Sequence, residues 1–278
     1  MWALLGAICA SAGVSLGMRL GVNRVHNRTT MLAASYGCCT LLAFLHTAAA
    51  PRYLLTGGLG RTAALGAVTG ILLLAGFLFL QWNVRVNGVV LSGVFAKLGV
   101  LVPTAVSVLL FHERPGAVQL LGFGLALWAI LLVNGERDAG RAASKSALLL
   151  LLLTNGAADA MSKIYEEIGH PAWQEIYLLL SFLTAFVLCA ALAWRQKQHI
   201  TGPDVWYGLL VGVPNYYASR FLIRALAVVP AVVAYPTYSV ATIVVITAAG
   251  VVFFREKLSA RQKAALGIIG AALVLLHL

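Results

Sequence analysis

Apolar runs of about 18 residues or more recur from one end of this 278-residue chain to the other. Crossing roughly 30 Å of hydrocarbon takes about that length of helix. No water inside a bilayer can satisfy a backbone N–H or C=O, so such runs fold as helices whose hydrogen bonds are internal. The chain is 61% hydrophobic and 10% charged, and short loops leave no room for a soluble domain between helices. Ten spans are predicted, at about 2–20, 30–50, 62–83, 86–111, 116–134, 146–166, 173–194, 204–224, 227–254 and 260–277. The expected fold class is an all-α polytopic membrane protein. The first run lacks a positively charged leading segment and has small residues scattered through it, so it reads as a span rather than a cleaved signal peptide.

Two stretches are copies of each other. Residues 104–133 align without a gap on residues 247–276, an offset of 143, with ten of 30 positions identical. The pairs include Glu113/Glu256, Gln119/Gln262, Gly124/Gly267 and Ala129/Ala272. Each copy reads as an apolar helix, a charged turn (HER or REK) and a second apolar helix. With ten spans, this offset puts five in each half: 1–135 holds the first repeat and 136–278 the second. Five is odd, so the halves are expected in opposite orientations, as two inverted five-helix repeats. That is a frequent ground plan of transporters, with a binding site near the midplane.

The net charge of +11 does not indicate a nucleic-acid partner, because the basic residues sit singly in loops where lipid headgroups explain them. Loops after the odd-numbered spans hold 13 Lys and Arg, against six after the even-numbered spans. By the positive-inside rule the odd loops are cytoplasmic and both termini face outward. The four cysteines lie inside apolar spans with no metal-ligand spacing, no histidine forms a metal motif, and no phosphate loop is present. No cofactor is expected.

The FHER turn (111–114) and the FREK turn (254–257), each followed by a Gly/Ala/Leu-rich final helix, carry a family resemblance. The chain resembles the drug/metabolite transporter superfamily, in its ten-helix EamA-type branch. That resemblance implies a secondary transporter in a bacterial cytoplasmic (inner) membrane, and it implies cytoplasmic termini, opposite to the charge bias. A finer likeness lies at residues 154–167 (TNGAADAMSKIYEE), which look like the first helix of the small multidrug resistance proteins. Those proteins carry an intramembrane glutamate eight residues before a lysine. Here the positions eight before Lys163 and Arg19 are Asn155 and Ser11. This departure argues against drug-cation/proton antiport of that type.

Polar residues inside a span are costly, so they are the candidates for lining a substrate path. Asn155, Asp159 and Lys163 recur at i, i+4 and i+8 and share one helix face. An Asp159–Lys163 pair stabilising that helix is the plainer alternative. Lys97 sits mid-way along the fourth span with no acid one turn away, and needs water, a substrate anion or an acid from another helix. A structural pair with Asp159 is its alternative. The family resemblance adds an anionic or zwitterionic substrate, since some members use basic residues on this helix. Asn215, Tyr217 and Arg220 follow Pro214 in the eighth span, and Tyr235 and Tyr238 flank Pro236 in the ninth. Aromatic groups beside basic ones suit an amphipathic metabolite. Trp206 and Tyr207 read as interfacial belt residues. Glu113 and Glu256 read as caps of the last helix of each half, paired with Arg114 or Lys257.

The expected function is a secondary transporter, not an enzyme, moving a small polar or amphipathic metabolite such as an amino acid by alternating access. Its partners are that small-molecule substrate and membrane lipids, with the chain acting as a monomer or homodimer. The alternative is a polytopic enzyme acting on a lipid-linked substrate. Only the Glu166/Glu167/His170/Glu175 group could serve it, and that group reads as a solvated loop.

Overall fold

The computed structural model describes residues 1–49, 58–134, 144–197, 199–255 and 260–278. The described residues are helical with short connections and no strand. In chain order the helices are α1 (Trp2–Gly21), α2 (Arg28–Ala49), α3 (Leu59–Leu98), α4 (Leu101–Leu109), α5 (Ala117–Asn134), α6 (Lys145–Ile168), α7 (Gln174–Arg195), α8 (Gly202–Leu226), α9 (Ala231–Phe254) and α10 (Ala260–Leu276). A 3-10 turn at Pro171–Trp173 leads into α7. Among the described residues seven stretches are long and apolar enough to cross a membrane, and Ala117–Leu132 is a shorter apolar helix. α8, with Asp204, Arg220 and Arg224, and the 17-residue α10 complete the expected set of ten, though neither is among those seven.

The surface is far more apolar than that of a protein that folds in water. Trp2, Leu109, Leu121 and Phe253 are exposed, while Ser35, Asn83, Ser107 and Asp204 are fully buried. Large apolar groups on the surface, over a mostly apolar core that also holds polar side chains, are what a hydrocarbon solvent selects. The chain is an all-α polytopic membrane protein.

The third and fourth expected spans, 62–83 and 86–111, are found as the apolar stretches Leu59–Gly88 and Leu91–Leu109. α3 carries the third span and the start of the fourth as two helical segments joined across a kink at Gly88, whose non-helical φ of 80° lies in the region open to glycine. The fourth span is interrupted after Lys97. Val100 N–H bonds to the Lys97 carbonyl and Val102 N–H to the Gly99 carbonyl, so one tight i→i+3 turn joins α3 to α4. Pro103 explains the break: it has no N–H to give the Gly99 carbonyl. Lys97 is therefore in the last turn of a helix, at a discontinuity, rather than midway along a continuous one.

Two compact units emerge. One comprises Met1 with residues 75–163 and 225–278, and the other residues 2–74 and 164–224. Each takes helices from both copies of the sequence repeat, whose boundary at 135/136 falls outside the described residues. In the first unit α5 packs on α10, with Ala129 and Ala272, identical in the repeat, fully buried. Asn83 donates to the Ala147 carbonyl at 2.7 Å, and Asn87 exchanges hydrogen bonds with the Ser144 backbone, tying α3 to the start of α6. Gly156 of α6 crosses Gly99 so closely that a Cβ there would strike the Gly99 carbonyl and the Val102 side chain. In the second unit α2 packs on α7, and the Asp204 carboxylate holds the α1–α2 loop by accepting from the N–H groups of His26 (2.8 Å) and Asn27 (3.2 Å).

The duplication reaches the backbone. His112 (φ 55°) and Arg255 (φ 52°) stand at equivalent positions of the two copies, 143 residues apart, and both adopt the left-handed conformation that non-glycine residues avoid. Glu256 and Lys257, the rest of the second turn, lie outside the described residues.

Gly156→Ala is expected to destabilise the protein by about 1–3 kcal/mol through overpacking at the crossing. Gly124→Ala, where a Cβ meets open space, should be neutral or slightly stabilising. Thermal unfolding of the two variants in the same detergent checks the contrast.

Candidate functional site

Stretches of α3, α4, α6 and α9 bring polar groups together in the first unit. Asn155, Asp159 and Lys163 share a face of α6 as expected, yet they meet three different environments. Asn155 is half-buried, and its side-chain oxygen occupies the space that a side chain on Gly76 of α3 would need. Asp159 is exposed, and its electrostatic partner is Lys97, half-buried at the end of α3. Lys163 is 4% exposed and pairs at 3.2 Å with Glu113, itself 16% exposed, while its ammonium lies 5.8 Å from the Phe111 ring centre. The ion pair anticipated for Lys163 thus exists, but with Glu113 and not Asp159.

Glu113 also departs from its expected part. Its two oxygens accept from the N–H groups of Ala231 and Val232, both at 3.0 Å, so it caps α9 rather than α5. α9 starts after Pro230 with no side-chain cap of its own, and its first N–H groups need an acceptor. The start of α5 is served instead by Gln119, whose side-chain oxygen accepts from the Gly116 N–H at 3.1 Å. Burial pushes the Glu113 carboxyl up, but the two N–H groups and the Lys163 ammonium outweigh it and hold it below its ordinary value.

Tyr235 is buried, and its hydroxyl donates to the backbone carbonyl of Asp159 at 2.8 Å. It thereby fixes α9 against α6 at Asp159. Tyr238, one turn on, is half-buried. Pro236 between them leaves the Val232 carbonyl without its helical donor. Asp159 is thus linked electrostatically to Lys97, beside the break, and through its backbone carbonyl to Tyr235.

The other three candidates belong to the second unit, in a separate network around Glu175. This residue does not lie in a solvated loop as the sequence suggests; it is in the first turn of α7 and 14% exposed. One of its oxygens accepts from Arg220 Nε and Nη2, both at 2.7 Å, and the other from the Tyr216 hydroxyl at 2.7 Å. Arg224 approaches at 3.8 Å. Tyr217 packs against Tyr216, Phe221 and His46. Asn215 hydrogen-bonds Cys39, whose thiol donates to the Gly212 carbonyl at 3.2 Å. Sequence reasoning missed both acids because each finds its partner through tertiary contact, at 50 positions along the chain for Glu113 and 45 for Glu175. The recurrence of Glu113 as Glu256 was the one available signal.

Glu113→Gln should remove the Glu113 charge from the buried Lys163 ammonium and cost about 3 kcal/mol, read by thermal unfolding. A carboxyl held below its unfolded value adds stability above that value and loses it as pH falls through the folded one. Acidification into the range below the ordinary carboxylate value should therefore lower the melting temperature of the parent. The slope should be shallower in the Gln variant.

Residues 172–269 match the family model described as Small Multidrug Resistance protein. The match covers α7, α8, α9 and part of α10; it includes Asn215, Tyr217, Arg220, Tyr235 and Tyr238, and begins after the 154–167 stretch. No curated protein matches the chain. A solved structure titled only "Crystal structure of protein" is similar in fold, with a TM-score of 0.78 at 15% identity, covering 99% of this chain and 94% of that one. The family match supports a membrane transporter of the drug/metabolite kind.

Proposed function

We propose that the chain is a secondary transporter that moves a small polar or amphipathic metabolite, an amino acid or similar zwitterion, across a bacterial cytoplasmic membrane by alternating access. The observation that carries this reading is the pairing of Lys97 and Asp159. Two opposite charges influence each other beside a helix break inside the membrane, and one of the two residues, Asp159, is exposed as a whole. A zwitterion can replace each partner of that pair with its own opposite charge, so the exchange leaves no charge uncompensated in hydrocarbon. Asn155, Tyr235 and Tyr238 supply the neutral hydrogen-bonding and apolar surface around it. Lys163 and Arg220 enter the proposal as groups that hold helices through Glu113 and Glu175, and Asn215 and Tyr217 as further polar and aromatic groups, on α8 of the second unit.

Further support comes from the duplicated turn with its matching left-handed residues, which suits an inverted EamA-type repeat. An enzymatic role would need free acid–base groups near one membrane face. Glu175, the central member of the acidic cluster, is spent on Arg220 and Tyr216.

A thermal-shift screen against amino acids, sugar phosphates, nucleotides and quaternary amines tests the reading. A zwitterionic amino acid should raise the melting temperature, by about 2.7 kcal/mol of stabilisation at about 100 times its Kd. Lys97→Ala and Asp159→Asn should each abolish the shift, and each should abolish counterflow of that solute in proteoliposomes. A shift produced by lipid-linked compounds alone, unchanged in both variants, would overturn the proposal.

A further inference from the structure

We infer that an open cavity where the α1–α2 loop meets the start of α8 binds the phosphate of an anionic membrane lipid. The cavity measures about 540 Å³ and is lined by Arg24, His26, Gly202, Pro203, Trp206 and Tyr207. All six belong to one compact unit. Its position in the chain is interfacial: it lies between the end of α1, the start of α2 and the first turns of α8, on the face of the odd-numbered loops.

The basic groups are held in place rather than merely present. Asp204, fully buried in the first turn of α8, accepts from the backbone N–H groups of His26 and Asn27 and clamps the loop that carries Arg24. On the other side the Tyr207 ring lies against Gly21, where a Cβ would come within 3.2 Å of it, so the end of α1 is seated on α8. The loop is thereby fixed at both ends. The Asp204 carboxylate is turned to the loop backbone and does not line the cavity.

The lining is chemically matched to a phosphate at the edge of a bilayer. Arg24 offers a planar fork of N–H donors that fits two phosphate oxygens, and the His26 ring adds a further donor. Both side chains lack an ion-pair partner among the described residues and are exposed. Trp206 is 65% exposed, and its indole body suits the acyl boundary while its N–H suits the headgroup level. A soluble anion would need no such wedge. The basic residues crowd the odd loops, which places the cavity in the leaflet where anionic lipids concentrate.

The test uses the full chain in nanodiscs of phosphatidylcholine alone or mixed with phosphatidylglycerol. Melting temperature and retained lipid, the latter by native mass spectrometry, are the readouts. Phosphatidylglycerol should raise the melting temperature and stay bound. Arg24→Ala combined with His26→Ala should lose most of that rise and the retained lipid, while melting like the parent in phosphatidylcholine. Arg195→Ala and Lys197→Ala, exposed basic residues outside the cavity, should keep both. Equal losses from Arg195→Ala and Lys197→Ala would mean diffuse charge attraction and overturn the site. If the double variant melts lower even in phosphatidylcholine, retained phosphatidylglycerol per folded molecule decides, and parent-like retention overturns the proposal. Glycerol phosphate added to phosphatidylcholine discs is the last arm. The same rise from it would keep the phosphate contact and overturn the lipid as its source.

Discussion

A backbone immersed in hydrocarbon has no water to fall back on, so every place where a helix stops, starts or bends inside the bilayer has to be met by a particular group. The Glu113 carboxylate is the clearest case. It accepts the first N–H groups of α9 and at the same time neutralises Lys163, buried on α6. One side chain in a seven-residue turn thus closes a helix end, balances a charge and fixes three segments to one another. The Asn83–Asn87–Ser144 hydrogen bonds do the same at the start of α6, and Asp204 does it for the α1–α2 loop. The unit is built on these polar fastenings, because apolar contact between helices gains little where the surrounding lipid is equally apolar.

The charges sort by how completely they are matched. Glu113 and Glu175 have each oxygen in use, and their basic partners are held at 3.2 Å and 2.7 Å. Lys97 and Asp159 share an electrostatic attraction without a close ion pair among the described contacts, and the Asp159 backbone carbonyl is engaged by Tyr235. A matched pair fastens helices; in the proposed function the looser Lys97–Asp159 pair, beside a helix break, exchanges its partner for a ligand. That difference, rather than the mere presence of charge in a span, separates holding groups from candidate binding groups.

Duplication gives the same turn twice, and the left-handed residues show what was copied. His112 and Arg255 share no side-chain chemistry beyond being basic, but both sit at φ near 50°. Gly124 and Gly267 both face open space, and Ala129 and Ala272 are both fully buried. Equivalent positions have kept equivalent environments at low identity, because a helix crossing constrains size at a contact and almost nothing at the lipid face.

The sequence by itself determined the helices, since an apolar run of this length has one way to satisfy its backbone in a bilayer. It also showed the duplicated turn, because the two copies still share residues in register. Asn155, Asp159 and Lys163 were legible as one face of α6, which follows from helical periodicity alone. Which partner each of them meets was not legible. Lys163 turned to Glu113, Asp159 to Lys97, and Arg220 to a glutamate that looked like part of a loop. Those choices are tertiary: a span specifies where its own side chains point, but a carboxylate tens of residues away becomes a neighbour only when helices cross. The break after Lys97 lay between these cases. Pro103 signalled it locally, while the Gly99–Gly156 crossing that makes the interrupted backbone part of a site was decided by the packing of α6.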